Sequence, residues 1–430
     1  MRIKICMLLL ASLPATVSAQ TLEECQEAAS RNYPLIRQYD LISNTTELTV
    51  SNISKGWLPQ VSLTAQATYQ SDVTAFPDEL QAIYQQAGIK MEGLKKDQYR
   101  VGIDINQTLF DGGSIKNQKE TARAQGALET AQNDVTMYGI RQRVIEMYFG
   151  LLLMDEQIQL NNDLQALLSS SEKKLASMFK NGTAAECDYL SVKAERLHAE
   201  QQQSALQSQR DQLARMLSVF CGIEVSHPTL PQSTDLSSST TDDNLLAFNK
   251  HPELRLADAR LHLADVQEKS LNSLLMPRVS LFAQGYYGYP GMNLFEDMMG
   301  RQWSWNGLVG ARLSWNIGAL YTRKNDKAKI QQMREQAVNY RDVFLFNNQL
   351  EQMQYDEQTA RYRQQMAADE EIVSLRSAVR KAAESKLAHG IIDVNALIKE
   401  INNENAARVQ QSIHEIEMWK SFFIRELKGS

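Results

Sequence analysis

The chain is short of cysteine, proline and basic charge, and it has no long apolar run. Each shortage excludes something. Four cysteines in 430 residues rule out a disulfide scaffold. The formal net charge is −6 and no basic patch stands out, so no nucleic-acid partner is expected. Past the N-terminus no segment offers 18 uncharged apolar residues, so no transmembrane helix is expected. The six histidines form no H-E-x-x-H pair. No G-x-S-x-G, P-loop or dinucleotide fingerprint occurs. Carboxylate pairs lie in helix-like repeats, where a solvated face is the default. The expectation is a protein that is not an enzyme and has no cofactor or metal site.

What is present begins with an export signal. Met1-Arg-Ile-Lys4 is a basic start, Ile5 to Leu13 a short apolar stretch, and Val17-Ser18-Ala19 a small-residue cleavage site. Residues 1–19 are read as a signal peptide, with the mature chain starting at Gln20. Removing it leaves Cys25, Cys187 and Cys221. Cys6 and Cys25 lack the small apolar residues that precede a lipidated cysteine, so no acyl anchor is expected.

The chain says the same thing twice. Leu58-Pro59-Gln60-Val61-Ser62-Leu63 returns as Met276-Pro277-Arg278-Val279-Ser280-Leu281, and Pro34 as Pro252, at an offset of 218. Val101-Gly102, Lys116-Asn117 and Gly182 return as Val309-Gly310, Lys324-Asn325 and Gly390, at 208. A unit of this size is a duplicated half-domain rather than a solenoid repeat. The halves are residues 20–226 and 227–430.

Proline is missing from Asp78 to Ser226 and from Gly291 to the end, and Ala319 to His389 holds neither glycine nor proline. That last run is rich in strong helix formers and spans about 105 Å as a helix. Its counterpart, Ser114 to Lys180, spans about 100 Å. Val144, Tyr148, Leu151, Leu152, Ile158, Leu164 and Leu168 supply an apolar stripe for coiled packing. Helices about half as long are expected over Thr21–Ser54, Ala184–Phe220, Asp242–Leu274 and Ile391–Leu427. Two laid end to end match one long helix. The Pro- and Ser/Thr-rich segment 221–243 then forms part of a belt at mid-height, and Cys25 and Cys221 lie near that level, with a disulfide between them left open.

Val61–Gln70, Tyr99–Gln107, Val279–Tyr287 and Val309–Trp315 alternate with a period of two, which gives each segment two faces in different surroundings. They read as two β-hairpins, within residues 57–110 and 276–316, whose strands bracket the loops Ser71–Gln98 and Gly288–Arg301. Trp57, Tyr69, Tyr99, Phe110, Phe282, Tyr286, Tyr287, Trp303, Trp305 and Trp315 cluster near the strand ends, as aromatic girdles do at membrane interfaces. Packing in a water-soluble sheet is the competing reading. Four strands cannot close a barrel, which needs about eight. If these strands enter a bilayer, the chain must oligomerise. Three copies, with twelve strands, are the smallest arrangement with an open lumen. The fold class expected is a mixed one: a long α-helical coiled-coil barrel continued by a β-barrel shared between three chains.

Several segments together resemble the TolC family of outer-membrane factors. These are the export signal, Thr21-Leu-Glu-Glu-Cys-Gln-Glu-Ala-Ala-Ser-Arg-Asn-Tyr-Pro-Leu35, the hairpin exit Leu109-Phe-Asp-Gly-Gly113 and the turn Asn181-Gly-Thr-Ala-Ala-Glu-Cys-Asp-Tyr-Leu190. The resemblance covers the mature chain and implies a homotrimer with a twelve-strand outer-membrane barrel and a twelve-helix periplasmic tunnel. It implies as partners a periplasmic adaptor, an inner-membrane transporter and outer-membrane lipid. A periplasmic coiled-coil adaptor or scaffold is the alternative reading, which the doubled hairpin–helix plan disfavours.

Gly182 and Gly390 read as left-handed helix caps. With Thr183 and Ile391 they mark the turns that, by the resemblance, meet the adaptor. Asp188 stands where the family often has Asp, and reads either as first-turn dipole complement or as part of the tunnel entrance. The second turn departs from the family, whose best-known members carry Asp six and nine residues past the glycine. Ala396 and Lys399 stand there. Asp393, Asn395 and Glu400 are nearby but offset, so helix capping and pore lining both remain open for them. The cargo is not legible.

Overall fold

The computed structural model describes residues 21–91, 93–226, 228–231 and 251–429. The export signal and most of the belt segment 221–243 lie outside the described residues. Among those described, the order is α1 (Leu22–Asn32), α2 (Ile36–Ser54), a 3₁₀ turn (Lys55–Trp57), β1 (Gln60–Tyr69), α3 (Asp78–Gln86), β2 (Asp97–Phe110), α4 (Ser114–Lys180) and α5 (Glu186–Cys221). There follow α6 (Pro252–Leu274), β3 (Arg278–Tyr289), α7 (Leu294–Gly300), β4 (Ser304–Ser314), α8 (Ala319–Ala388) and α9 (Val394–Gly429). Most of the chain is helical, and the four strands form one sheet. Among the described residues no helix is long and apolar enough to cross a membrane.

Two expectations need correction. The helix expected over Thr21–Ser54 is two helices. Proline disfavours helical geometry at the residue before it, and Tyr33, preceding Pro34, is extended (ψ 133°) and ends α1. Its counterpart Pro252 sits at the first position of α6, where a missing N–H costs nothing. The loops expected over Ser71–Gln98 and Gly288–Arg301 hold short helices, α3 and α7, and the strands extend into them.

The chain divides into two compact units. Among the described residues, one contains 21–38, 132–226, 228–231, 251–255 and 342–429; the other contains 39–91, 93–131 and 256–341. The long helices α4 and α8 contribute residues to both.

In the first unit, Thr21 caps α1 with a capping box: its hydroxyl accepts from Glu24 N–H at 3.2 Å, and the Glu24 carboxylate accepts from Thr21 N–H at 3.1 Å. The main core gathers Leu22, Cys25 and Ala29 of α1, Val144, Ile145, Tyr148, Phe149 and Leu151 of α4, Leu217 and Cys221 of α5, and Ile416, Trp419 and Ile424 of α9. Each large side chain buried this way stabilises the fold by about 1.5–3 kcal/mol. Tyr148 has a buried ring yet satisfies its hydroxyl, which donates to Thr229 O at 2.7 Å and accepts from Thr229 N–H at 3.0 Å. A second core joins Leu164, Leu168 and Leu175 of α4, Val192 and Ala199 of α5, Ala383 of α8, and Val394, Leu397 and Ile401 of α9.

Cys25 and Cys221 pack together as free thiols, with Cys221 Sγ donating to the Cys25 carbonyl at 3.4 Å. The hydrogen bond to Cys221, then burial, push the Cys25 thiol up. Both are sealed from solvent, whereas Cys187 is exposed. Reactivity needs an accessible thiolate. In the chain starting at Gln20, a maleimide reagent should therefore label one thiol in the native protein and three after denaturation, as read by intact mass. Two native labels would contradict this packing.

His251 is buried between Tyr138 (ring centroids 4.5 Å) and Phe344 (4.7 Å), and its Nδ1 accepts from Glu253 N–H at 3.2 Å. Burial first, then the charges of Lys428 and Arg255, depress its pKa to about 4 from an ordinary 6.5. The neutral ring is what the fold accepts. Its contribution is complete above pH 6.5 and is lost as the pH falls toward 4, where the unfolded chain takes up a proton and the folded one does not. Thermal melts of His251→Phe should show a flatter acid-side decline across that window than the parent.

Candidate functional site

The sheet lies wholly in the second unit and runs in the order β1-β2-β3-β4, antiparallel throughout. Its register sorts side chains onto two faces. Val61↔Ile105, Leu63↔Ile103 and Ala65↔Val101 pair across β1 and β2, and Val101↔Tyr287 and Ile105↔Ala283 across β2 and β3. Tyr287↔Trp305, Ala283↔Val309 and Val279↔Leu313 complete that face on β4. It is continuous, apolar and open to its surroundings: Leu63 is 76%, Val309 79% and Trp305 82% exposed. A contiguous apolar surface of this extent belongs against another apolar phase.

The opposite face carries Ser62, Thr64, Gln66, Asp104, Arg100 and Gln284. Asp104 organises it, accepting from Thr64 Oγ1 at 3.0 Å and from Gln284 Nε2 at 2.7 Å. Phe282 also lies here, under the Arg312 guanidinium at 4.9 Å. Gly310 makes room for it: a Cβ there would come within 2.7 Å of the Phe282 ring.

Most of the aromatics expected at the strand ends share the apolar face. Tyr69, Tyr99, Tyr287, Trp303 and Trp305 gather toward the loop end, with Tyr287 5.4 Å from Trp303 and 5.0 Å from Trp305. Trp57, Phe110 and Trp315 stand at the other end, where Trp315 Nε1 donates to Leu275 O at 2.9 Å. Tyr286 and Phe282 do not belong with them. Successive strand residues point to opposite faces, so neither can share a face with Tyr287, and both stand among the polar residues.

The outer edges of β1 and β4 pair with no strand among the described residues. The loop end is closed by a small core of Leu94, Tyr289 and Met298. Lys95 N–H donates to Tyr289 Oη at 2.9 Å, and Gly291 N–H to Asp297 Oδ2 at 2.6 Å. Where β2 leaves the sheet, Asp111 accepts from Gly113 N–H at 2.9 Å and Ile115 N–H at 2.5 Å, starting α4. The second exit, at Ile317-Gly318, starts α8 with backbone bonds alone.

In the first unit the two helical turns are alike. Gly182 (φ 70°) and Gly390 (φ 69°) are left-handed. Thr183 N–H reaches back to Met178 O and Ile391 N–H to Lys386 O, both at 2.9 Å. This six-to-one bond is the Schellman cap. Asp393 caps α9, its Oδ1 accepting from Ala396 N–H at 2.7 Å. Asn395 is exposed in the first turn of α9. Glu400 accepts from Asn403 Nδ2 at 3.1 Å and lies 3.9 Å from Arg376. Asp188 stands in the first turn of α5, whose cap residue Ala185 offers no side-chain acceptor. Its carboxylate and that of Glu186 complement the helix dipole there.

Sequence reasoning missed Asp104 and the Lys95–Tyr289 bond. An acid between Ile103 and Ile105 was the available signal for the first. Nothing local marks the second, which depends on two loops meeting. Among the described residues no group of three or more His, Cys, Asp or Glu is arranged to hold a metal ion.

Residues 27–222 match the family model for the outer membrane efflux protein. No curated protein sequence matches. Among solved structures, the outer-membrane channel OprN is similar with a TM-score of 0.68 at 16% identity, over 95% of this chain and 90% of that one. A membrane protein from Pseudomonas aeruginosa gives 0.69 at 15%, over 94% and 90%. The outer membrane protein VceC from Vibrio cholerae gives 0.67 at 13%, over 95% and 96%. At these identities the likeness is one of fold. The family resemblance read from the residues is borne out by the matched segment, with which the expected outer-membrane location also agrees.

A Cβ at Gly182 or Gly390 would meet nothing within 4 Å, so only the left-handed backbone requires glycine there. Gly182→Ala and Gly390→Ala should each destabilise the local turn by about 1–2 kcal/mol. Faster amide exchange at Thr183 and Ile391, with the rest of the chain unchanged, is the expected result.

Proposed function

We propose that this chain is the outer-membrane channel of an efflux or secretion system: a passive duct, with energy supplied by a partner. In this reading three copies close one twelve-strand barrel and continue it as a helical tunnel through the periplasm. One observation carries it. The chain exposes a four-stranded sheet with an apolar face and two unpaired edges. In hydrocarbon every backbone N–H and C=O must be paired, and an exposed edge in water invites aggregation. Closure with further copies relieves both. Two chains would give eight strands, an interior filled by side chains; larger barrels hold a water-filled passage. Three is the smallest number that leaves one, and the Asp104 face becomes its wall.

The two halves, residues 20–226 and 227–430, are read as a duplication, with segment 221–243 as part of a belt between them. The turns at Gly182–Thr183 and Gly390–Ile391 are read as the docking tips for a periplasmic adaptor that links the duct to an inner-membrane transporter. Ala396 and Lys399 leave no second acidic ring at the entrance. A periplasmic adaptor would leave the apolar face of the sheet in water, which disfavours that alternative.

The full chain should fractionate with the outer membrane and migrate, unheated in mild detergent, at three times its denatured mass. Leu63→Asp or Val309→Asp should reduce the membrane-inserted fraction, since an acid on a lipid-facing strand is unfavourable. Ser62→Asp, on the opposite face, should not. Recovery of the parent as a lone chain in the soluble periplasmic fraction would overturn the proposal.

A further inference from the structure

The two helical hairpins of the first unit carry the same ion-pair motif with its signs reversed. In the first, Glu172 of α4 accepts from Arg196 Nε of α5 at 2.6 Å, and Arg196 also pairs with Glu200 one turn on. In the second, Arg380 of α8 pairs with Glu404 of α9, and Arg408, one turn on, lies 2.9 Å from Glu404. Adding 208 to 172, 196 and 200 gives 380, 404 and 408, the offset that also relates Gly182 to Gly390. The order along the motif is acid–base–acid in one hairpin and base–acid–base in the other. The two pairs between helices are largely covered, with side-chain exposure 22% for Arg196, 13% for Arg380 and 6% for Glu404, whereas Glu200 and Arg408 are about half exposed. Burial opposes ionisation of Glu404, yet Arg380 and Arg408 outweigh it, and the carboxyl titrates below its ordinary range.

In most other respects the hairpins match. Their turns have the same cap. Their returning helices have 36 residues each, and their long helices 67 and 70. Their apolar residues enter one common core, and Asn402 of α9 donates to Glu195 of α5 at 2.8 Å, so the two returning helices touch. With the short turns opened, apolar complementarity alone would tolerate a long helix taking the other half's returning helix from a second copy. Charges flanking an apolar seam are the usual means of setting partner choice.

We propose that the reversed triads are a pairing code by which each long helix accepts only the returning helix of its own half. A crossed arrangement would set Glu172 against Glu404 and Arg380 against Arg196. Removing one partner of a covered pair, or facing it with its own sign, is strongly unfavourable, so wrong pairings are disfavoured without loss to right ones. The inference does not depend on the channel reading.

The test inverts one code while keeping every pair. In an E384Q background, which removes the extra acid beside Arg380, the full chain is prepared in three forms and refolded from denaturant into detergent. The forms are the background itself, E172R/R196E/E200R, and that triple change combined with R380E/E404R/R408E. The single inversion makes both hairpins base–acid–base. Its native yield, read by near-ultraviolet dichroism and size exclusion, should fall several-fold, while the fraction that does fold melts close to the background. Inverting both codes should restore the yield. Equal yields in all three forms would overturn the proposal. So would a loss that the double inversion does not repair, because the triads would then act only as local ion pairs.

Discussion

The structure turns on backbone hydrogen bonds that the described strands leave open at two edges. Four antiparallel strands satisfy one another along three seams and leave the outer edges of β1 and β4 open. An apolar face across all four strands makes the edges more costly, because that face belongs where no water is present to bond them. Sheet, loops and helices can then be read as answers to one requirement: the edges must be brought to other edges in a fixed geometry. The β2–β3 ladder and the loop-end core around Tyr289 join the hairpins, so β1 to β4 form one sheet rather than two. Asp104 of β2, bonded from β1 and from β3, ties three of these strands together on the polar side.

The helices meet a parallel demand. A helix of 67 or 70 residues exposes more surface than its own turns can stabilise. Each is covered by shorter neighbours, and the first unit accordingly has two cores at different heights along α4. Where apolar contact cannot tell one neighbour from another, polar contacts do. The reversed triads lie beside the core that four helices share, and in the other core the Tyr148 hydroxyl is bonded both ways to the Thr229 backbone.

Much of this was legible in the residues because it depends on periodicity. The start of α8 follows from a run without glycine or proline, and α4, which holds Gly126, Gly139 and Gly150, from a proline-free span at the matching place in the first half. The two faces of the strands follow from alternation, and the left-handed turns from Gly182 and Gly390. What escaped depends on partners distant in sequence. The loop helices α3 and α7 are stabilised by loops packing on one another. The side of Tyr286 is set by strand register, which an aromatic cluster read by position alone ignores. The break at Pro34 was local and could have been read: proline excludes helix at Tyr33, yet the same residue type opens α6. The acids near Gly390 stayed ambiguous because capping and lining use one chemistry; the structure assigns Asp393 a capping bond with Ala396 N–H.

The open edges also bear on when the molecule can exist. On the shared-barrel reading a newly exported copy has no finished state of its own, so maturation is a reaction of three bodies, not one. Its rate climbs steeply with abundance, and a cell making few copies would hold them as unclosed intermediates for long periods. Gene dosage would thus set not only how many pores a cell has but what fraction of the polypeptide ever becomes one.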